Sequence, residues 1–381
     1  MFRFDLKTPV VPEGQRVYML HPGKNYHLFK KFIDNECIST DLPNLKLKDG
    51  VSPKAVRSLD AQIKRARALR DWLALSANHR KREEYSLKLD DYSVDPTRRF
   101  HESYKETLTQ VLWDLPAGTR IFVPNPAFNK DGFFCELKNA TEERIEFNGP
   151  RVARDFTYVG RPVRNIQSVS MRLVPPEVFE NKSRTTILTE LDYHESEKLF
   201  RLYYGSFSIP GSLTQTEVDI PSEVFRPADA NVINGLANFL EENLQRLERG
   251  ETKATSFYDA LFLAFEEAEL QIHARLNSKG IFQIAAKTVA PALLALFISV
   301  PATMSDDAFA KILKQRNVEV ENTSCPDDKE FPRLIEDRLY GIIDMLGEKD
   351  ISDICKRVRD FKKRTGAKVG STLSDKDGQN Q

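Results

Sequence analysis

The sequence is poor in the residues that build disulfide frameworks and metal centres. It has 4 cysteines and 6 histidines in 381 residues. Cys37, Cys135, Cys325 and Cys355 lie far apart and form no CxxC pair, and the scattered histidines complete no zinc pattern. A reducing, cytoplasmic setting is therefore expected, with no metal and no other cofactor. HExxH, GxSxG, GxGxxG and Walker sequences are all missing, which removes the motif-bearing hydrolases and nucleotide enzymes from consideration. The opening MFRFDLKTPVVPEG has no apolar core of signal-peptide length. Long apolar runs are also scarce. The one uncharged stretch, Thr288 to Ser305, is cut by Pro291 and Pro301. The helix it allows, about Ala290 to Val300, is too short for ~30 Å of hydrocarbon at ~1.5 Å per residue. It reads as a buried helix, with membrane insertion as the alternative.

Net charge is absent too, but the zero hides polarity. The 56 Lys and Arg balance 56 Asp and Glu, yet Lys54 to Arg82 is strongly basic and Glu217 to Glu269 strongly acidic. The basic part can meet a polyanion, and the acidic part suits contact with protein. A hydrophobic content of 40% supports real cores, and the length favours more than one domain.

Helical spacing of Phe29, Phe32, Ile33 and Cys37 predicts a helix beginning near Asn25. Ser52 and Pro53 start another, with Val56, Leu59, Ile63, Ala66, Leu69 and Leu73 as its apolar stripe. A third runs from about Glu102 to Trp113. Thr119–Pro124, Gly132–Lys138, Arg144–Phe147 and the stretch TYVGRPVRNIQSV then change period to two and read as strands. Phe200–Ile209 reads as a further strand, with a hairpin around Pro210-Gly211. After Pro227 the pattern is read as helical throughout: 230–247, 256–276, 279–300, 306–315, 331–346 and 351–363.

The expected fold is therefore α+β: residues 1–215 form a small barrel-like domain with helices, residues 216–368 an all-helical bundle, and residues 369–381 a polar tail.

Four stretches carry a resemblance: RVYMLHPGKNYHLFKKFIDNECI, QVLWDLPAGTRIFVP, GFFCELKNA with RIEF, and YVGRPVRNIQSVSMRLVPPEVF. In this order, over residues 14–190, the chain resembles the PUA/EVE-like domains of modification-dependent restriction and phage-defence proteins. The resemblance implies a nucleic-acid-binding barrel, DNA rather than RNA, and a sensor or adaptor in bacterial anti-phage defence. Readers of modified bases in that family enclose the base with aromatic side chains, often a Trp after the first helix. This chain has STDLPN there instead.

The residues make their own case for a polyanion. Lys64, Arg65, Arg67, Arg70, Arg80, Lys81 and Arg82 offer one basic group, and Arg151, Arg154, Arg161 and Arg164 a second. Tyr158 sits among the latter and is placed to stack a base. The competing reading has Tyr158 in a core and the arginines paired with Asp155 and Glu146. HPGK at 21–24 reads as a strand-to-helix corner at which Lys24 can touch a phosphate. Glu136 and Lys138, with Asp131 and Asp114 upstream, give the pattern of a metal-dependent nuclease as a second alternative. The helical half is assigned protein–protein contact or self-association, and a scaffold or effector acting through protein or membrane is the other alternative function.

Overall fold

The computed structural model describes residues 1–75, 80, 85–92, 102–127, 129–150, 153–179, 187–222, 226–261, 263, 270–277, 279–301 and 303–375. It divides into two compact units. Met1–Gly14 and Tyr204–Gln381 form one, the split unit, and Gln15–Tyr203 form the other, the inserted unit. The chain is mixed α and β in both.

The chain opens on β1 (Phe2–Asp5), which belongs to the split unit. The inserted unit follows with β2 (Val17–Leu20), α1 (Phe29–Asp34), β3 (Cys37–Ser39) and α2 (Leu59–Leu73). Next come α3 (Glu102–Thr109), which runs into a π-helical turn at Gln110–Asp114, then β4 (Arg120–Val123) and β5 (Asp131–Leu137). The unit closes with β6 (Ile145–Asn148), β7 (Thr157–Ser170), β8 (Leu188–Glu190) and α4 (Tyr193–Tyr203).

Its sheet has the order β3-β7-β5-β4-β2-β8, with β6 also paired to β7. The sheet curls into a half-barrel, and the long strand β7 explains why. Its first half pairs with β6 and β3, and its second half pairs with β5 across an irregularity between Phe134 and Glu136. Gly160 permits the close approach of β3, because a Cβ there would lie 2.7 Å from Cys37 Sγ. Leu59, Ile63, Ala66 and Leu69 of α2 are buried as the apolar stripe predicts. Each such Leu or Ile contributes roughly 1.5–3 kcal/mol, more than any propensity difference in the helix.

The split unit resumes with β9 (Phe207–Ile209) and β10 (Leu213–Ile220), the expected hairpin at Pro210-Gly211. Helices α5 (Pro227–Glu248) and α6 (Phe257–Ala260) precede β11 (Leu270–Asn277) and β12 (Lys279–Ala286). Then come α7 (Ala290–Ser299), α8 (Asp306–Lys314), β13 (Val318–Glu321), α9 (Glu330–Met345), α10 (Glu348–Thr365), β14 (Lys368–Val369) and β15 (Thr372–Asp375).

Residues 216–368 are thus not all-helical. β11 and β12 take the end of the helix expected over 256–276 and the start of that expected over 279–300; β12 pairs antiparallel with β10 and β11 with β12, in a five-stranded sheet. The physical reason is period two: Phe282, Ile284 and Ala286 alternate into the core opposite β10. The boundaries also differ. Residues 1–14 and 204–215 belong with the C-terminal part, because β1 pairs parallel with β13 and antiparallel with β15, burying Phe4. Phe200 ends up in α4 and not in a strand. Residues 369–375 of the expected tail include β15; residues 376–381 lie outside the described ones.

The uncharged stretch forms α7, with every residue from Ala290 to Ile298 buried against α5 and β10. Pro291 sits in the first turn and the helix ends before Pro301. Among the described residues no helix is long and apolar enough to cross a membrane.

Candidate functional site

The corner between β2 and α1 is built from unusual backbone. Gly23, Asn25 and Tyr26 have φ of +80°, 56° and 57°. This conformation turns the Lys24 N–H toward Asp41 Oδ2, which accepts it at 2.9 Å. Gly23 is required twice over, by its φ and because a Cβ would lie 2.9 Å from His27 Cε1 and 3.0 Å from Asp41. His27 closes the corner: Nδ1 donates to the Lys24 carbonyl at 2.7 Å, and Nε2 lies 3.1 Å from Asp41 Oδ1. Asp41, 3% exposed, arrives from the turn after β3.

Beside this pair is a cavity of about 480 Å³. Lys24, Asn25, His27, Asp41 and Arg70 line one part of it, and Leu73, Ala74, Pro150, Ala153 and Tyr158 the rest. Its size suits a small planar ligand. Tyr158 is 0% exposed, stacked on Phe147 with centroids 5.7 Å apart, and edge-on to His27 at 6.4 Å. Its hydroxyl has no hydrogen-bond partner. Burial, with the Asp41 charge added, pushes its pKa well above the ordinary value, so it stays a neutral O–H. Arg70 is held at the rim by Asp71 at 3.0 Å and by the Tyr104 hydroxyl at 3.4 Å.

For His27, burial is the largest influence and pulls its pKa down, but the Asp41 hydrogen bond and charge and the Lys24 carbonyl outweigh it, against a lowering by Arg70. The net shift is upward. A raised folded pKa means that this group's stabilisation is fully present below the unfolded value of about 6.5 and is lost as pH rises through the folded value. NMR titration of the imidazole is expected to give an apparent pKa above that of a model histidine in the wild type. Asp41→Asn is expected to move it down. A wild-type value at or below the model one contradicts the pairing.

The sequence-predicted residues separate into groups. Lys24, Arg70 and Tyr158 come together around the cavity. Arg154 is exposed beside Ala153, which lines it. Arg67 stacks over Tyr104 at 4.3 Å, Lys64 is half-buried on α2, and Arg80 donates to the Leu73 carbonyl at 2.8 Å and lies over Trp72.

Three arginines need correction. Arg65 is 8% exposed and donates to the Leu87 and Asn44 carbonyls at 3.2 and 2.6 Å. Arg161 is 1% exposed and donates to the carbonyls of Lys138 (2.6 and 2.9 Å), Leu115 (2.8 Å) and Val111 (3.4 Å). Burial lowers its pKa to about 10. Arg65 ties two loops to α2, and Arg161 ties a helix end and the chain after β5 to β7, so neither guanidinium is available to a ligand. Arg164 is exposed but bound to Glu136 at 3.2 Å. The acid partner of Arg164 is thus Glu136, in place of Glu146 or Asp155. Lys81, Arg82 and Arg151 lie outside the described residues.

Glu136, the centre of the nuclease pattern, lies between Arg164 and Arg120 (3.7 Å) and accepts from Asn165. Asp131 accepts from Ser168, and Asp114 pairs with Lys54 at 3.0 Å. Among the described residues no three His, Cys, Asp or Glu are grouped to hold a metal ion.

Sequence reasoning missed His27 and Asp41. The available signal was Asp41 itself, the one acid in the STDLPN stretch that follows Cys37-Ile38. No family model, curated protein or solved structure matches the chain.

Proposed function

We propose that the inserted unit binds nucleic acid, DNA in preference to RNA, by taking one base into the cavity beside His27 and Asp41. The phosphates on either side then meet Lys24, Arg70 and Arg154. The observation that carries this reading is the convergence of Lys24, Arg70 and Tyr158, from three separate elements, on one cavity of about 480 Å³. Its walls at Leu73, Ala74, Pro150 and Ala153 suit a flat ring, and the cations stand only at the rim. His27 and Asp41 satisfy each other, so the carboxylate does not oppose an incoming polyanion as a bare charge. The resemblance to PUA/EVE-like domains supports the same reading and extends it to a sensor or adaptor in bacterial anti-phage defence, with the split unit making the protein contact.

The test is fluorescence anisotropy with single-stranded DNA and RNA at two salt concentrations. Wild type is expected to bind at low salt and to weaken steeply as salt rises. Lys24→Ala is expected to weaken binding and to reduce the magnitude of the log–log salt slope by about one. Absence of a complex at low salt ends the proposal, and an unchanged slope removes Lys24 from it.

A further inference from the structure

The charged side chains of Asp41, His27 and Arg70 at the cavity have partners of their own. Asp41 accepts the Lys24 N–H and faces His27, and the His27 ring is engaged at both nitrogens. Arg70 is shared between Asp71 and Tyr104. Leu73, Ala74, Pro150 and Ala153 bring no side-chain polar atoms. The Tyr158 hydroxyl is buried without a hydrogen-bond partner, whereas Asp41 Oδ1, which accepts no hydrogen bond, has the His27 ion pair. Leaving such a hydroxyl unpaired is destabilising, so phenylalanine would serve the free protein better at this position. The ring needs no hydroxyl to stack on Phe147.

We propose that the Tyr158 hydroxyl is the specificity-determining contact of the cavity, hydrogen-bonding a nitrogen or oxygen on the leading edge of the base that enters. This rests on the nucleic-acid reading above and names what that site reads. A phenol both donates and accepts, so it can meet a ring carbonyl, a ring nitrogen or an exocyclic amine. It rejects a ring of the same shape with no polar edge, because that occupant leaves the hydroxyl unpaired. A site built to hydrogen-bond its ligand discriminates against the analogue lacking the group more strongly than an apolar pocket discriminates on size.

The experiment is a double-mutant cycle between Tyr158→Phe and the polar edge of the base. Single-stranded DNA probes carry one thymine or one adenine, each matched by a probe with a nonpolar isostere of that base. For the base bound more tightly, wild type is expected to prefer the natural base over its isostere by about 10-fold in Kd. In Tyr158→Phe that ratio is expected to fall to near 1, while the melting temperature stays level or rises. Wild-type binding with no discrimination, or discrimination that survives in Tyr158→Phe, overturns the inference and leaves the nucleic-acid reading standing. A clear fall in the melting temperature of Tyr158→Phe also overturns it, by showing that the hydroxyl already has a partner. Failure of wild type to bind any probe at low salt defeats the nucleic-acid reading itself and this inference with it.

Discussion

Arg161→Ala is expected to destabilise the inserted unit by about 3–5 kcal/mol, the range seen when a buried, hydrogen-bonded charged group is removed. Its guanidinium donates to three carbonyls: Lys138 just beyond β5, Val111 inside the π-helical turn and Leu115 at its end. Truncation leaves those acceptors without donors and opens a void, and the two effects have the same sign. The full effect belongs to geometry more than to charge. Arg161→Lys is therefore expected to recover less than half of the loss, since an ammonium cannot reproduce the planar fork that reaches Lys138 with two N–H groups. Denaturant unfolding of the variants checks both statements. An Arg161→Ala protein within 1 kcal/mol of wild type, an order-of-magnitude threshold, contradicts this account of the side chain.

Asp41→Ala is expected to cost about 2–4 kcal/mol and to abolish binding at the cavity. The carboxylate accepts the Lys24 N–H and faces the His27 ring, and it is almost fully buried. Without it the left-handed residues Asn25 and Tyr26 lose the contact that holds the corner. His27 loses the partner that raises its pKa. The loss should therefore depend on pH in a definite direction. Below about pH 6.5, where the wild-type pair is fully charged, the gap between the proteins is widest. Above the folded wild-type His27 pKa it narrows, because the wild type has by then given up the contribution of the imidazolium. Chemical denaturation at several pH values measures the gap. A gap that widens as pH rises contradicts the ion pair.

Much of the inserted unit was legible in the sequence. The α2 stripe from Leu59 to Leu69 and the strands at β4 to β7 follow from period alone. The split unit was harder for a physical reason. LQIHARLN alternates at the period of a strand, but KGIFQIAA is a short, mostly apolar run, and a run of that length fits a buried helix as well as a strand until its neighbours are known. β1 is another such case: FRFD alternates, but its partners β13 and β15 lie at the far end of the sequence.

At the site, residue type singled out Lys24, Arg70 and Tyr158, which the fold brings to one cavity. It misdirected at Arg65 and Arg161, because the donor geometry that suits arginine to phosphate suits it equally to backbone carbonyls in a core. His27 and Asp41 were invisible because they meet only through the fold, with the turn after β3 delivering the acid to the corner.

The pairing of residues 2–5 with residues 318–321 and 372–375 imposes an order of events on the ribosome. β1 must wait, unpaired, until β13 and β15 have been made. Meanwhile residues 15–203 have every strand they need and complete their own sheet. Their entrance and exit are stitched together locally, by the Leu191 N–H to the Val17 carbonyl and the Val17 N–H to Ser196. During synthesis the nascent chain therefore carries a finished domain between two halves of an unfinished one, and for that interval the apolar face of Phe2 and Phe4 is the natural client of a chaperone.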